Sequence, residues 1–142
     1  MRKIVINRCH GGFSLSKEAC QRYWDIKGQR VWIEDDTQFK SLGIFTVWLV
    51  PAEDRVVEST NRATISIEER RAFNEKYASQ TWYDRDVERD DPVLVQVVEE
   101  LGEKADGRHA GLGIVEIPND VEWVIDEYDG LEWVAEKHRT WI

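Results

Sequence analysis

The side chains best placed for chemistry gather in one short stretch, VINRCHGGFSLSKEA at residues 5–19, where an apolar run breaks into a glycine pair and then a helix start. Strand, glycine loop and helix N-terminus together turn free backbone N–H groups and the positive end of a helix dipole toward one point, which suits an anion. The stretch has neither the GK[ST] of a nucleoside triphosphatase loop nor the GxGxxG of a dinucleotide fold. Two readings stand. Gly11 and Gly12 serve a turn that needs permissive φ angles, or the amides of Gly12 to Ser16 hold a phosphate with Asn7, Arg8, Cys9 and Ser14 around it.

Cys9 and His10 suggest a thiolate activated by an imidazole and a helix N-terminus. Neighbours on an extended segment point opposite ways, however, so a base for Cys9 would have to be His109 or His138. The five Cys and His residues show none of the short paired spacings of zinc sites, and no calcium-loop pattern occurs, so no metal and no cofactor are expected. The clusters Asp84/Asp86, Asp90/Asp91 and Asp126/Glu127/Asp129 read as caps, turns and solvated charge before they read as acid–base pairs. At the other end of the chain KHRTWI sets His138, Arg139 and Trp141 side by side. Arg brings a planar fork for phosphate or carboxylate and Trp a stacking face, the parts that a planar anionic ligand needs.

Charge is spread unevenly over the 142 residues. The total is −9, yet residues 1–34 hold seven Lys/Arg against three Asp/Glu, while residues 99–142 hold four against twelve. The glycine stretch therefore lies in the basic part of an acidic chain, a hint of an anionic ligand there. Overall acidity argues against sequence-independent nucleic-acid binding, which needs many phosphates neutralised. No run approaches the ~20 apolar residues of a membrane span, so a soluble protein without membrane partners is expected. Two cysteines make no disulfide framework, which favours a reducing, cytoplasmic setting. Seven Trp is a high count, and indole N–H groups that need partners should bring some of them to surfaces or pockets.

The elements that must position these residues follow from local chemistry. Residues 3–7 read as a strand, Ser16 as the N-cap of a helix that Gly28 stops, and Leu15 as a staple onto Cys20. Residues 30–34 and 44–50 are β-rich, and Pro51 ends the second run. Residues 35–66 are expected as a variable β excursion. Ser66 and Glu69 form a capping box for a helix over 67–79, and Asp91-Pro92 starts another. Its Glu99, Glu100 and Glu103 gather at the C-terminal end, where the dipole disfavours them. Residues 112–118 form a strand, and Tyr128-Asp129-Gly130-Leu131 a type I′ turn, with Val121, Trp123 and Ile125 on one face. The order predicts a single α+β domain over 1–142, with a mixed, mostly antiparallel sheet, about three helices and a C-terminal β-hairpin.

Two blocks, KIVINRCHGGFSLSKEA (3–19) and the run from DDPVLVQVVEELGEKADGR through VEIPNDVEWVIDEYDGLEWVAEKHRTW (90–141), resemble a family of small uncharacterised proteins of tailed phages, prophages and bacteria. The resemblance implies host takeover or counter-defence in the cytoplasm of a bacterial host, by capture of nucleotide signals or by blocking a host protein. If the first and last strands are neighbours, Asn7 to Ser16 meet His138, Arg139 and Trp141 in one pocket, with Arg85 or Arg89 assisting. The expected function is then non-catalytic sequestration of a small anionic, nucleotide-like ligand. The alternatives are an acidic, Trp-rich inhibitor that binds a host protein and a small hydrolase. A second copy of the chain is a further candidate partner.

Overall fold

In the computed structural model, which describes residues 1–37, 42–57 and 64–141, the chain falls into two compact units, Met1–Gly28 with Asp84–Ile142 and Gln29–Tyr83. The described residues form three α-helices and seven strands, the α+β class expected. The strands do not share one mixed sheet. They divide into three sheets, β1–β5, β2–β3–β4 and β6–β7, and every pairing is antiparallel.

In the first unit β1 (Arg2–Asn7) lies at the centre, with Ile4, Val5 and Ile6 all buried, so its apolar run is continuous rather than alternating. One edge pairs with β5 (Leu112–Ile117). The opposite edge is closed by other means. Val5 N donates to Arg89 O at 2.8 Å, Arg89 Nη1 donates to Val5 O at 3.3 Å, and Asn7 N donates to a Glu132 carboxylate oxygen at 2.8 Å. These contacts leave little of that edge for another strand to pair with.

Two helices complete this core, the later one packed against β1 and the earlier one against the later. In α1 (Lys17–Lys27) the Ser16 hydroxyl accepts from Ala19 N, Gly28 closes the end at φ 75°, and Ala19, Cys20 and Tyr23 are buried. In α3 (Pro92–Leu101) Asp91 caps Val93 N, and Leu94, Val95, Val97 and Val98 are buried. Fully burying an aliphatic side chain of this size contributes about 1.5–3 kcal/mol, so these two helix faces and β1 carry most of the unit's stability. Two of the glutamates near the end of α3 find cations from neighbouring elements. Lys3 pairs with Glu99 at 3.0 Å and Arg22 with Glu100 at 2.8 Å. Hydrogen bonds from Arg22 and then Gln96 hold the Glu100 carboxyl below its ordinary range.

The hairpin of β6 (Trp123–Tyr128) and β7 (Leu131–Glu136) turns at Asp129 and Gly130, both at positive φ (50° and 86°), as a type I′ turn requires. The second unit holds β2 (Trp32–Asp35), β3 (Phe45–Trp48), α2 (Ile67–Gln80) and β4 (Thr81–Trp82). Ser66 caps α2 through Glu69 N, and Gln80 is its one buried residue, bonded to Val56 N and Asp54 O. Within the expected β excursion over 35–66, Phe45–Trp48 is the strand β3, Ala52–Asp54 is a 3₁₀ turn, and residues 55–57 join no strand. Its remaining residues 58–63, like residues 38–41, lie outside the described ones.

Candidate functional site

Asn7, the last residue of β1, is completely buried and uses its whole amide. Nδ2 donates to Cys9 O at 2.6 Å and to Gly130 O at 2.7 Å, while Oδ1 accepts from Gly111 N at 2.9 Å and Cys9 N at 3.3 Å. One side chain thus ties together the glycine loop, the loop before β5 and the hairpin tip. Two glycines are required by this closeness. A Cβ on Gly11 would lie 1.9 Å from His109 O, and one on Gly130 would lie 2.5 Å from His10 O. Gly11 is thus a packing joint, whereas Gly12 beside it has open space around its Cβ position and supplies a positive φ of 89°.

Two of the five amides expected to hold a phosphate have internal partners. Leu15 N donates to Asp84 Oδ2 at 2.8 Å, and Ser16 N donates to Ala105 O at 2.9 Å. Ser14 O accepts from Gly107 N, and the Ser16 hydroxyl, besides capping α1, donates to Lys104 O. The loop before α1 does bind an anion, and that anion is the protein's own Asp84. The same carboxylate, after burial itself, pushes the Cys20 thiol up, away from its reactive form. Cys9 is exposed and has no hydrogen bond to His109 or His138 among the described residues.

Arg89 is engaged as well. Its guanidinium grips Glu132 with two bonds, of 2.7 and 2.9 Å, and lies 3.5 Å from the centre of the Phe13 ring. Both partners are shielded, with 18% and 8% of their side chains exposed. Arg8 lies across Gly113 and donates to Ile114 O at 3.3 Å. Arg85 is exposed.

The C-terminal residues are at the wrong end for a joint pocket. β7 approaches β1 where Glu132 meets Asn7, whereas Lys137 shares a cleft with Arg2, five residues and about 17 Å further along at strand spacing. His138, Arg139 and Trp141 are exposed, and no hydrogen bond or ion pair joins them to residues 7–16 among the described residues. The strands run antiparallel, so neighbouring strands bring Leu131, not Trp141, to the glycine loop.

Three clefts are evident. One of about 560 Å³ is lined by Arg2, Lys3, Pro92, Val95 and Glu99, and one of about 340 Å³ by Arg2, Glu122, Trp123 and Lys137. The largest, about 820 Å³, belongs to the second unit and is lined by Val56, Ile65, Phe73 and Tyr77. No predicted site residue lines any of the three. Among the described residues no group of His, Cys, Asp and Glu is arranged to hold a metal ion, and no helix is long and apolar enough to cross a membrane.

What the sequence reading missed is the division of labour between the two faces of the hairpin. The register sets Val124, Asp126 and Tyr128 opposite Ala135, Trp133 and Leu131 on one face, and Trp123, Ile125 and Glu127 opposite Glu136, Val134 and Glu132 on the other. Glu132 turns inward to Arg89. The opposite face stays open, with Tyr128 72% and Trp133 45% exposed. Extending the alternation of Trp123 and Ile125 across the turn would have flagged Glu132 as an acid in apolar company. Residues 120–136 contain seven carboxylates and no Lys or Arg, and only Glu132 has an ion-pair partner among the described residues. Comparisons with family models, curated proteins and solved structures return no match.

Proposed function

We propose that the chain is a non-catalytic protein-binding module that engages a basic partner through the outward face of the β6–β7 hairpin. The observation that carries this reading is the pair of exposed rings, Tyr128 and Trp133, on the same face as Asp126, an exposed carboxylate with no ion-pair partner among the described residues. Aromatic side chains dominate interface energetics, and a one-signed rim steers an oppositely charged partner and fixes its register. In the phage setting that the resemblance implies, the partner is a host protein and binding blocks it.

Sequestration of a nucleotide-like ligand has less support. It needs free amides at Gly12 to Ser16 and a cation beside them, and two of those amides and Arg89 are already committed within the chain. Immobilised protein challenged with a bacterial lysate, followed by pairwise reconstitution of whatever is retained, tests the proposal. A basic partner should bind stoichiometrically, be released by salt, and lose about tenfold or more in affinity with Tyr128→Ser. Arg139→Ala should bind as wild type does. Calorimetry with a nucleotide panel is the counter-test: saturable heat that disappears in Arg139→Ala would restore the sequestration reading and overturn this one.

A further inference from the structure

Cations in this molecule repeatedly take the same seat. Arg89 lies over Phe13 and is gripped by Glu132, and Arg55 lies 4.6 Å from the centre of the Trp48 ring and pairs with Glu34. Lys27 lies 5.1 Å from the centre of the Tyr23 ring and 3.9 Å from Asp91. In these three cases, though among the described residues not for Arg30 over Trp32, a ring supplies the face and a carboxylate the counter-charge, an arrangement in which the quadrupole and the ion pair act on one cation.

The outward face of the hairpin holds the ring and the carboxylate without the cation. Asp126 and Trp133 are directly opposed in the β6–β7 register, so their Cβ atoms stand about 5 Å apart on the same side of the sheet. Tyr128 follows Asp126 on that side and leaves one flank aromatic. Trp133 is half exposed, and Asp126 is exposed with no ion-pair partner among the described residues. A flat group laid on the indole would have one edge against the carboxylate.

We infer that Asp126 and Trp133 form a seat for an arginine side chain presented by an extended, basic segment of a partner protein. The inference rests on the protein-binding reading and names its partner's chemistry. Arginine fits better than lysine because the guanidinium is planar, stacks on an indole and meets a carboxylate edge-on with two donors, whereas an ammonium is a strongly hydrated point charge. The net charge of −9 would favour further positive charge on the same segment.

The test is titration of the isotope-labelled full chain with a short glycine–serine peptide carrying two arginines, read at the Trp133 indole N–H and at the Asp126 amide. Saturable shifts confined to this face are expected. The matching lysine peptide should bind about threefold or more weakly, and the citrulline peptide, planar but uncharged, should not saturate. Trp133→Ala and Asp126→Asn should each weaken the arginine peptide by roughly fivefold. Shifts elsewhere, equal binding of citrulline, or unchanged affinity in both variants would overturn the inference. So would self-association of the peptide-free chain that Arg139→Ala abolishes, because the occupant would then be a second copy. If a basic protein is held and Tyr128→Ser releases it while the indole ignores arginine, only this inference fails. If neither binds, the protein-binding reading fails with it.

Discussion

The two faces of the C-terminal hairpin are built from the same residue types and meet opposite surroundings. Inward, Glu132 finds the Arg89 guanidinium over the Phe13 ring and also accepts from the backbone of Asn7. Outward, Asp126 faces Trp133 across the strands with no cation supplied by the described residues. The inner set is shielded from water, so its pairing decides whether the hairpin sits on β1 at all. The outer set is exposed and makes no ion pair among the described residues, and the proposed function gives it a role in recognition. On that proposal an aromatic–carboxylate pair is structural or functional according to whether its cation comes from the same chain.

Removing the inner carboxylate should have the largest effect. Glu132→Ala leaves Arg89 charged, shielded and unpaired and orphans the Asn7 amide, and denaturant melts should show a loss of about 3–5 kcal/mol. A loss below ~1 kcal/mol would mean that the two faces are not different in kind. Next comes the joint that seats the hairpin tip on the glycine loop. Gly130→Ala places a methyl group at φ 86° against His10 O and should cost about 2 kcal/mol, with exchange broadening of backbone signals at residues 10–12.

The outer face should respond in the reverse sense. Tyr128→Ser and Asp126→Asn should change stability by no more than about 0.5 kcal/mol while they weaken the basic partner, which sharpens the contrast with Glu132→Ala. The smallest effect is one of pH. The Glu100 carboxyl is held below its ordinary value in the folded chain by Arg22 and Gln96. Its contribution is therefore fully present above the unfolded carboxyl value and lost as pH falls through the lower folded one. Glu100→Gln should flatten the fall of melting temperature on acidification slightly in that window, with little change at neutral pH.

Local chemistry was legible wherever one residue serves its own neighbours. Ser16, Ser66 and Asp91 start helices, Gly28 ends one, and Asp129-Gly130 turns the hairpin, all as their types and positions require. The candidate site was legible in parts only. Asn7, Gly11 and Arg89 stood out as candidates for a ligand, whereas the partners that the structure gives them are in the chain itself and far away in sequence: Glu132 for Arg89, Gly130 and Gly111 for Asn7, the His109 loop for Gly11. The expected meeting of residues 7–16 with 138–141 failed on direction, because antiparallel strands bring Leu131 to the loop and carry Lys137 to Arg2.

The sequence by itself determined the α+β class, the helix ends, the hairpin turn and the imbalance of charge, since each depends on residues within a few positions of one another or on composition alone. Only the tertiary structure decided which polar groups are spent internally. Asp84 satisfies Leu15 across 69 positions, and Glu132 satisfies Asn7 across 125. A carboxylate has the same charge on either face of a strand. Packing decides whether a guanidinium of the same chain reaches it or whether it waits at the surface for one from elsewhere.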